Sequence, residues 1–419
     1  MFASYNRDFV ADQRRGSSAT DYAMAAGGAE RLLRDIGVSF RVLPYYFRID
    51  AAAHDALVAA TGALADAQEK LLSHLCSTLS ADELVAMFRV PPSMASRIDW
   101  AQVASGGPRM LRADIIPAED GYWFCELNHF SGVGAGESYH SAKAFAELLG
   151  RPVAGVSPFR DLAHLYAVEC GRAGLDRLVI LDSAKHRQWG YGKIVMLQRY
   201  LALMAPELEV AYCDETDYPR EWLEAGEARR TMVHRIITLD DTTDGGAFLS
   251  MLHDSGATLS CMFEAELKMH RKWFSLLCDP RYHHLLSAAE LAVIERYVPR
   301  TFELTRDNVE EALAAKDDYV FKRSYSYGGE GVLIGRQQSR DDLRQALLAG
   351  GVEAWECQRR VPTATVELPS GSGRPEPYWF VLGMFVYGER SNGLLVRASA
   401  ASQVVNASTG GGVSWAFVE

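Results

Sequence analysis

Two segments in the first third of the chain carry polar residues at a spacing that chemistry can use. Arg112-Ala-Asp114 and Glu126-Leu-Asn128 each place two polar side chains two positions apart, and on a strand such a pair points to one face. If the two segments are antiparallel neighbours, Asp114, Glu126 and Asn128 converge as three oxygen donors beside Arg112. Hard Mg²⁺ takes such oxygens and leaves its other positions to phosphates and water, while a guanidinium fork suits a phosphate or carboxylate. An ordinary hairpin would use the same residue types. Trp123, Phe124 and Cys125 nevertheless make the second segment apolar, so acidic groups facing one way from it need a reason.

A second constellation lies near residue 320. Tyr319-Val-Phe-Lys322 reads as a strand, a loop follows through Gly328, Gly329 and Gly331, and Val332-Leu-Ile returns as a strand. Glycine lets backbone N–H groups approach phosphate oxygens closely, and a fixed ammonium adds charge where a nucleotide carries it. The lysine precedes the loop, and the loop joins two strands, so this is not the phosphate loop that opens a helix. A glycine hairpin with a solvated lysine is the competing reading. A third, weaker set is Arg397 on a strand, followed by Asn406 and the glycines 410–412.

These residues need sheets to position them, and the flanking sequence supplies the pattern. Residues 110–116 and 122–127 read as a hairpin, and 354–418 read mostly as β with glycine turns. Residues 51–79, rich in Ala and Leu, read as one long helix or two shorter ones. Ser80-Ala-Asp-Glu83 and Ser287-Ala-Ala-Glu290 are capping boxes that open further helices. Beyond a linker at 152–158, apolar runs at 177–182, 208–213 and 232–239 alternate with helical stretches, including 162–172 and 194–204. That alternation predicts a small parallel sheet flanked by helices. Helices are also predicted over 305–315 and from Ser339 to about 348.

Composition excludes several classes. A chain of 419 residues exceeds what one ordinary core absorbs, so two or three packed units are expected. The net charge of −11, from 43 basic and 54 acidic side chains, offers no basic face for nucleic acid. No run approaches the roughly 18 apolar residues of a membrane span, and the first fifteen or so residues lack a signal peptide's apolar stretch. Seven scattered cysteines without a C-x-x-C pair fit reduced thiols in a cytoplasm. The histidines lack zinc-site spacing; His129, adjoining Asn128, is the one kept as a substrate contact.

Taken together, the three sets resemble the ATP-grasp superfamily in circularly permuted order. Lys322, a hinge-like Trp355-Glu-Cys-Gln358-Arg-Arg-Val361, Arg397, Asn406 and the glycines 410–412 run in the family's sequence, and the R-x-D and E-x-N pairs that would follow stand at the front instead. Permuted relatives that it resembles are the glutathionylspermidine synthetase-like proteins, in which the two pairs carry the same spacing, and the peptide ligases of bacterial natural-product pathways. The resemblance implies magnesium on Asp114, Glu126 and Asn128, a transferring phosphate or carboxylate on Arg112 with Arg397 beside it, and ATP phosphates on Lys322. It also implies a second nucleotide lysine, Lys272 or Lys268. Cys357-Gln358 stands where a Gln-Glu hinge is more frequent, which leaves the adenine contacts open.

The implied fold class is mixed α/β. It comprises an N-terminal helical region (1–105), a permuted metal-binding part (106–150), a substrate-side α/β unit (151–300) and a nucleotide core (301–419). The implied activity is an ATP- and Mg²⁺-dependent ligase that activates a carboxylate as an acyl phosphate and passes it to an amine. Nothing resembles an appended amidase, so spermidine chemistry does not follow. A kinase that releases a phosphorylated product, or a silent nucleotide-binding protein, would keep the same site. The acid and amine are not legible. Nor is oligomeric state, with which a homodimer is compatible.

Overall fold

The computed structural model describes residues 2–14, 18–35, 39–100, 103, 109–129, 135–152, 157–185, 187–237, 241–260, 263–326, 331–369, 374–405 and 410–419. Of residues 18, 93, 135–137, 187–194, 263, 264, 266 and 369 only the backbone is described. In chain order the described strands begin with β1 (Arg41–Val42), β2 (Phe47–Ile49), β3 (Met110–Pro117) and β4 (Tyr122–Asn128). The next four are β5 (Arg177–Asp182), β6 (Glu209–Asp214), β7 (Thr231–Arg235) and β8 (Thr258–Ser260). Then come β9 (Thr301–Glu303), β10 (Tyr319–Arg323), β11 (Val332–Ile334) and β12 (Trp355–Arg359). The last are β13 (Thr365–Pro369), β14 (Pro375–Tyr387), β15 (Leu394–Ser399) and β16 (Gly412–Val418).

Among the described residues these strands form three sheets. The largest, eight-stranded, runs β1-β16-β15-β14-β3-β4, with β13 also on β14 and β2 also on β16. The early hairpin β3–β4 therefore sits beside a strand more than two hundred residues away: β14 pairs with β3 in antiparallel register, Gly383 opposite Asp114. A second sheet, β11-β10-β12-β9, has four antiparallel strands. The third, β6-β5-β7-β8, is wholly parallel, as the alternating strand–helix pattern predicts. Its middle strand β5 is buried at every position, which is why it reads as a continuous apolar run.

Alternation divides the large sheet into two faces. Ala113, Leu127, Leu382, Met384, Val396 and Ala398 join one apolar core with the helix Ala51–Thr78, whose Thr61 hydroxyl reaches Met384 Sδ at 3.6 Å. That helix is continuous, opened by Asp50 accepting from Ala53 N at 3.0 Å and closed where Ser80 begins the next capping box. The opposite face carries Phe385, Leu395, Val413 and Trp415, which pack with the helices Ala135–Leu148 and Pro158–Ala173. The polar residues singled out above lie farther along this second face.

Several elements depart from the sequence pattern. Helices Phe2–Gln13 and Ser18–Asp35 lie in the N-terminal region read as helical, although the pattern gives them no bounds, while the short strands β1, β2, β8 and β9 have no counterpart in it. The helix predicted from residue 305 begins only at Val309, because Thr305 and Asn308 bond each other's backbone N–H groups at 2.8 and 3.3 Å and hold the chain in a turn. Most of the predicted linker, 153–156, lies outside the described residues.

Candidate functional site

The site begins with a triad of charges on the large sheet, two of them, Arg112 and Asp114, buried. Arg112 Nε donates to Asp114 Oδ1 at 2.7 Å and Nη2 to Oδ2 at 3.0 Å, a bidentate pair along one strand. From β15, Arg397 Nη2 comes within 2.7 Å of the same Oδ1, too poorly aligned to count as a hydrogen bond. Burial would push the Asp114 carboxyl up, but the two guanidinium groups outweigh it and hold the carboxyl well below the usual range. Room for this comes from Gly383 on β14: a Cβ there would lie 3.0 Å from Arg112 Cδ. Among the described residues nothing bonds Arg397 Nε, although the atom is buried.

Glu126 stands opposite Asp114 and Asn128 opposite Arg112, so the paired polar residues share a face as the spacing predicts. They are not yet three free oxygens. Asp114 is engaged by arginines, Glu126 Oε2 lies 3.5 Å from Arg271 Nε, and Asn128 Nδ2 donates to Arg112 O at 3.3 Å. Between Asp114 and Ile115 the register slips, leaving Cys125 as the extra residue of a β-bulge. A bulge releases backbone groups from the ladder, and here the Cys125 carbonyl accepts Lys322 Nζ at 3.0 Å.

Lys322 comes from the four-stranded sheet, whose faces are equally distinct. Phe302, Phe321 and Cys357 pack on Leu313, Leu343 and Leu347. The other face carries Thr301, Glu303, Lys322, Glu356 and Gln358, as the cross-strand register requires. The second acceptor for Lys322 Nζ is Gln358 Oε1 at 2.7 Å, and Gln358 Nε2 in turn donates to Thr301 Oγ1 at 3.0 Å. Burial pulls the Lys322 ammonium below its ordinary value, with Cys125 and Glu126 partly opposing that.

One residue of this constellation escaped the sequence reading. Arg271 is buried, and its Nη1 donates to Arg323 O at 3.0 Å and Ser326 Oγ at 2.5 Å, on the stem of the glycine-rich loop. Its Nε faces Glu126, so it joins the loop to the carboxylates of the large sheet. The signal was the run His270-Arg271-Lys272 at a helix start, since basic residues oppose the positive end of the helix dipole and need another reason to be there.

The two lysines weighed for a nucleotide role are already paired: Lys272 with Glu303 and Lys268 with Glu69 at 2.6 Å. His129 Nε2 lies 2.8 Å from Gln68 Oε1, and Gln68 Nε2 donates to Lys268 O at 2.6 Å. An amide oxygen only accepts, so the imidazole donates from Nε2. Burial, then Lys268 and Arg109, bring its pKa down to about 3, so the ring is neutral. Gly331 closes the hairpin with φ +64, its carbonyl accepting Arg323 N at 2.8 Å. Gly328, Gly329 and Asn406 lie outside the described residues.

No protein-family model matches this sequence, and no functionally curated protein matches it. A solved structure does. The glutathione synthetase-like effector from Globodera pallida, in its apo form, overlays with a TM-score of 0.58 at 12% identity, covering 96% of this chain and 97% of its own. This chain has the glutathione synthetase-like fold. A protein from Methylobacillus flagellatus assigned as a γ-glutamylcysteine synthetase overlays far less closely, with a TM-score of 0.39 at 14% identity over 83% of this chain and 86% of its own. Among the described residues no helix is long and apolar enough to cross a membrane.

Proposed function

We propose that this chain is a circularly permuted ATP-grasp ligase that joins a small carboxylate to an amine, using ATP and Mg²⁺. The observation that carries the reading is Lys322. It is a buried ammonium with no carboxylate in ion-pair reach among the described residues, held by one carbonyl and one amide oxygen. A buried cation without an ion-pair partner is costly, and an anionic ligand offsets that cost. Arg397, with its unpartnered buried Nε, asks for the same kind of ligand.

The residues present fit both groups. ATP phosphates would meet Lys322 and the loop stem fixed by Arg271, with Gln358 on the adenine side. Magnesium would be held by Glu126, Asn128 and the remaining lone pair of Asp114, which its arginines keep ionised; two acidic side chains and an amide leave positions for phosphate oxygens and water. When bound, ATP would supply its γ-phosphoryl group to the substrate carboxylate with ADP as the leaving group, and the amine would then displace inorganic phosphate from the acyl phosphate, losing a proton as the amide forms. The protein's part is electrostatic. Arg112, locked in place by Asp114, and Arg397 stabilise charge on the reacting carboxylate and phosphoryl oxygens. No side-chain nucleophile is needed. The position of β3–β4 against β14 supports the permuted reading, because the early pairs and the late arginine share one face only through that pairing.

Calorimetry with ATP, with and without Mg²⁺, tests this on wild type and Glu126→Ala. Magnesium-dependent binding weakened by the substitution supports the site. Folded wild type that binds no ATP refutes it.

A further inference from the structure

Glu356 is the most deeply buried charged side chain on the polar face of the four-stranded sheet, at 1% exposure. Register sets it directly opposite Lys322 and Glu303. An ion pair with Lys322 would be the ordinary outcome for opposite charges at such positions, yet Glu356 turns the other way. Its Oε1 accepts from Ser324 Oγ at 3.0 Å and its Oε2 from Ser275 Oγ. Burial pushes its carboxyl up, and the nearby Lys272 ammonium opposes this. Among the described residues Lys272 and Glu303 act on its charge, and Lys322 stands opposite it in register.

The two hydroxyls lie on the two elements that must keep a fixed separation. Ser324 is the first residue beyond β10 on the glycine-rich loop, its N donating to Ala354 O and its carbonyl accepting Arg271 N, both at 2.9 Å. Ser275 lies on the helix Lys272–Leu277, which Arg271 caps. A buried carboxylate is a poor way to gain stability, because an apolar side chain of similar volume is usually as good or better. It is a good two-point connector, since each oxygen accepts a short, directional bond.

We infer that Glu356 is a positioning residue that clamps the loop stem at Ser324 to the Arg271 helix, so that this stem is set for the polyphosphate end of a nucleotide rather than for its base. This rests on the ATP reading above. Removing the clamp leaves the adenine side, around Gln358, untouched while the phosphate side loosens.

The experiment compares ATP and adenosine binding by calorimetry, with Mg²⁺, for wild type, Glu356→Gln and the double variant Ser275→Ala/Ser324→Ala. The expected result is at least a tenfold loss of ATP affinity in both variants with adenosine affinity changed less than threefold. Equal losses for the two ligands, or no loss for either, overturn the assignment. Should Glu356→Gln not fold, the serine variant, which leaves the carboxylate in place, decides between the same outcomes. Wild type that fails to bind ATP overturns the ATP reading and the positioning role together, which separates that failure from one confined to Glu356.

Discussion

Lys322 and Glu356 face each other across β10 and β12 and do not pair. The ammonium bonds Gln358 and the Cys125 carbonyl, and the carboxylate bonds Ser324 and Ser275. Two opposite charges on one face thus take separate partners: the lysine is held by two neutral oxygens, and the glutamate by two serine hydroxyls.

Lys322→Met should therefore weaken ATP roughly 10- to 100-fold, the equivalent of about 1.5–3 kcal/mol for a charge-assisted bond. It should not destabilise the fold. Because the folded-state value of this lysine is lowered from 10.5, the unfolded chain binds more protons between the two values, and wild-type stability gains with rising pH there. Denaturant melts at several alkaline pH values would show that gain in wild type and its loss in the variant.

Asp114→Asn removes the carboxylate shared by the buried Arg112 and the half-buried Arg397. Breaking such a pair from one side costs about 3–5 kcal/mol, and activity should vanish with it. The carboxyl is depressed in the folded state, so its contribution is complete above its ordinary value of 3.8 and declines as pH falls toward the folded value. Wild type and variant should accordingly converge in stability in strong acid, as urea midpoints would record.

Gly383→Ala tests the geometry of that pair. The new Cβ would lie 3.0 Å from Arg112 Cδ and 3.4 Å from Leu395 Cβ, a crowding worth about 1–3 kcal/mol. Displacing Arg112 should lower kcat far more than it raises KM for ATP; an unchanged kcat would show that the arginine's placement is not limiting.

Arg271→Met severs the contacts to Arg323 O, Ser326 and Glu126 together. Faster hydrogen exchange over 323–326 and weaker ATP binding are expected. Arg271→Lys should restore little, since an ammonium lacks the planar fork that reaches all three groups.

Asp161 offers a control outside the site. Burial raises its carboxyl to about 6, with Arg390, Arg160 and Asn392 opposing. The folded state then holds a proton that the unfolded chain has already released, so this residue costs stability as pH rises from about 4 to 6 and above. Asp161→Asn should stabilise the protein at pH 7.5 by on the order of 2 kcal/mol, with the advantage shrinking toward pH 4. A constant difference across that range would contradict the burial argument.

Local pattern determined a good deal of this protein. The capping boxes at Ser80 and Ser287 and the hairpin β3–β4 were legible because each rests on contacts between residues close in sequence, and β5 because burial at every position leaves an apolar run. The shared face of Arg112, Asp114, Glu126 and Asn128 followed from strand alternation alone. What the sequence could not encode locally is which distant partners those side chains meet. Arg397 reaches Asp114 only because β14 lies between β3 and β15. Lys322 reaches Cys125 only because a bulge in β4 frees that carbonyl. Arg271 gains its role from a loop fifty residues away. Even Gly412, which reads as part of a phosphate turn, has its space taken by packing: a Cβ there would fall 2.5 Å from Leu43 Cδ2, just beyond the parallel neighbour β1. Spacing along a chain fixes the direction a side chain takes from its own strand, whereas burial, charge compensation and close backbone approach arise between elements and are set only when those elements pack.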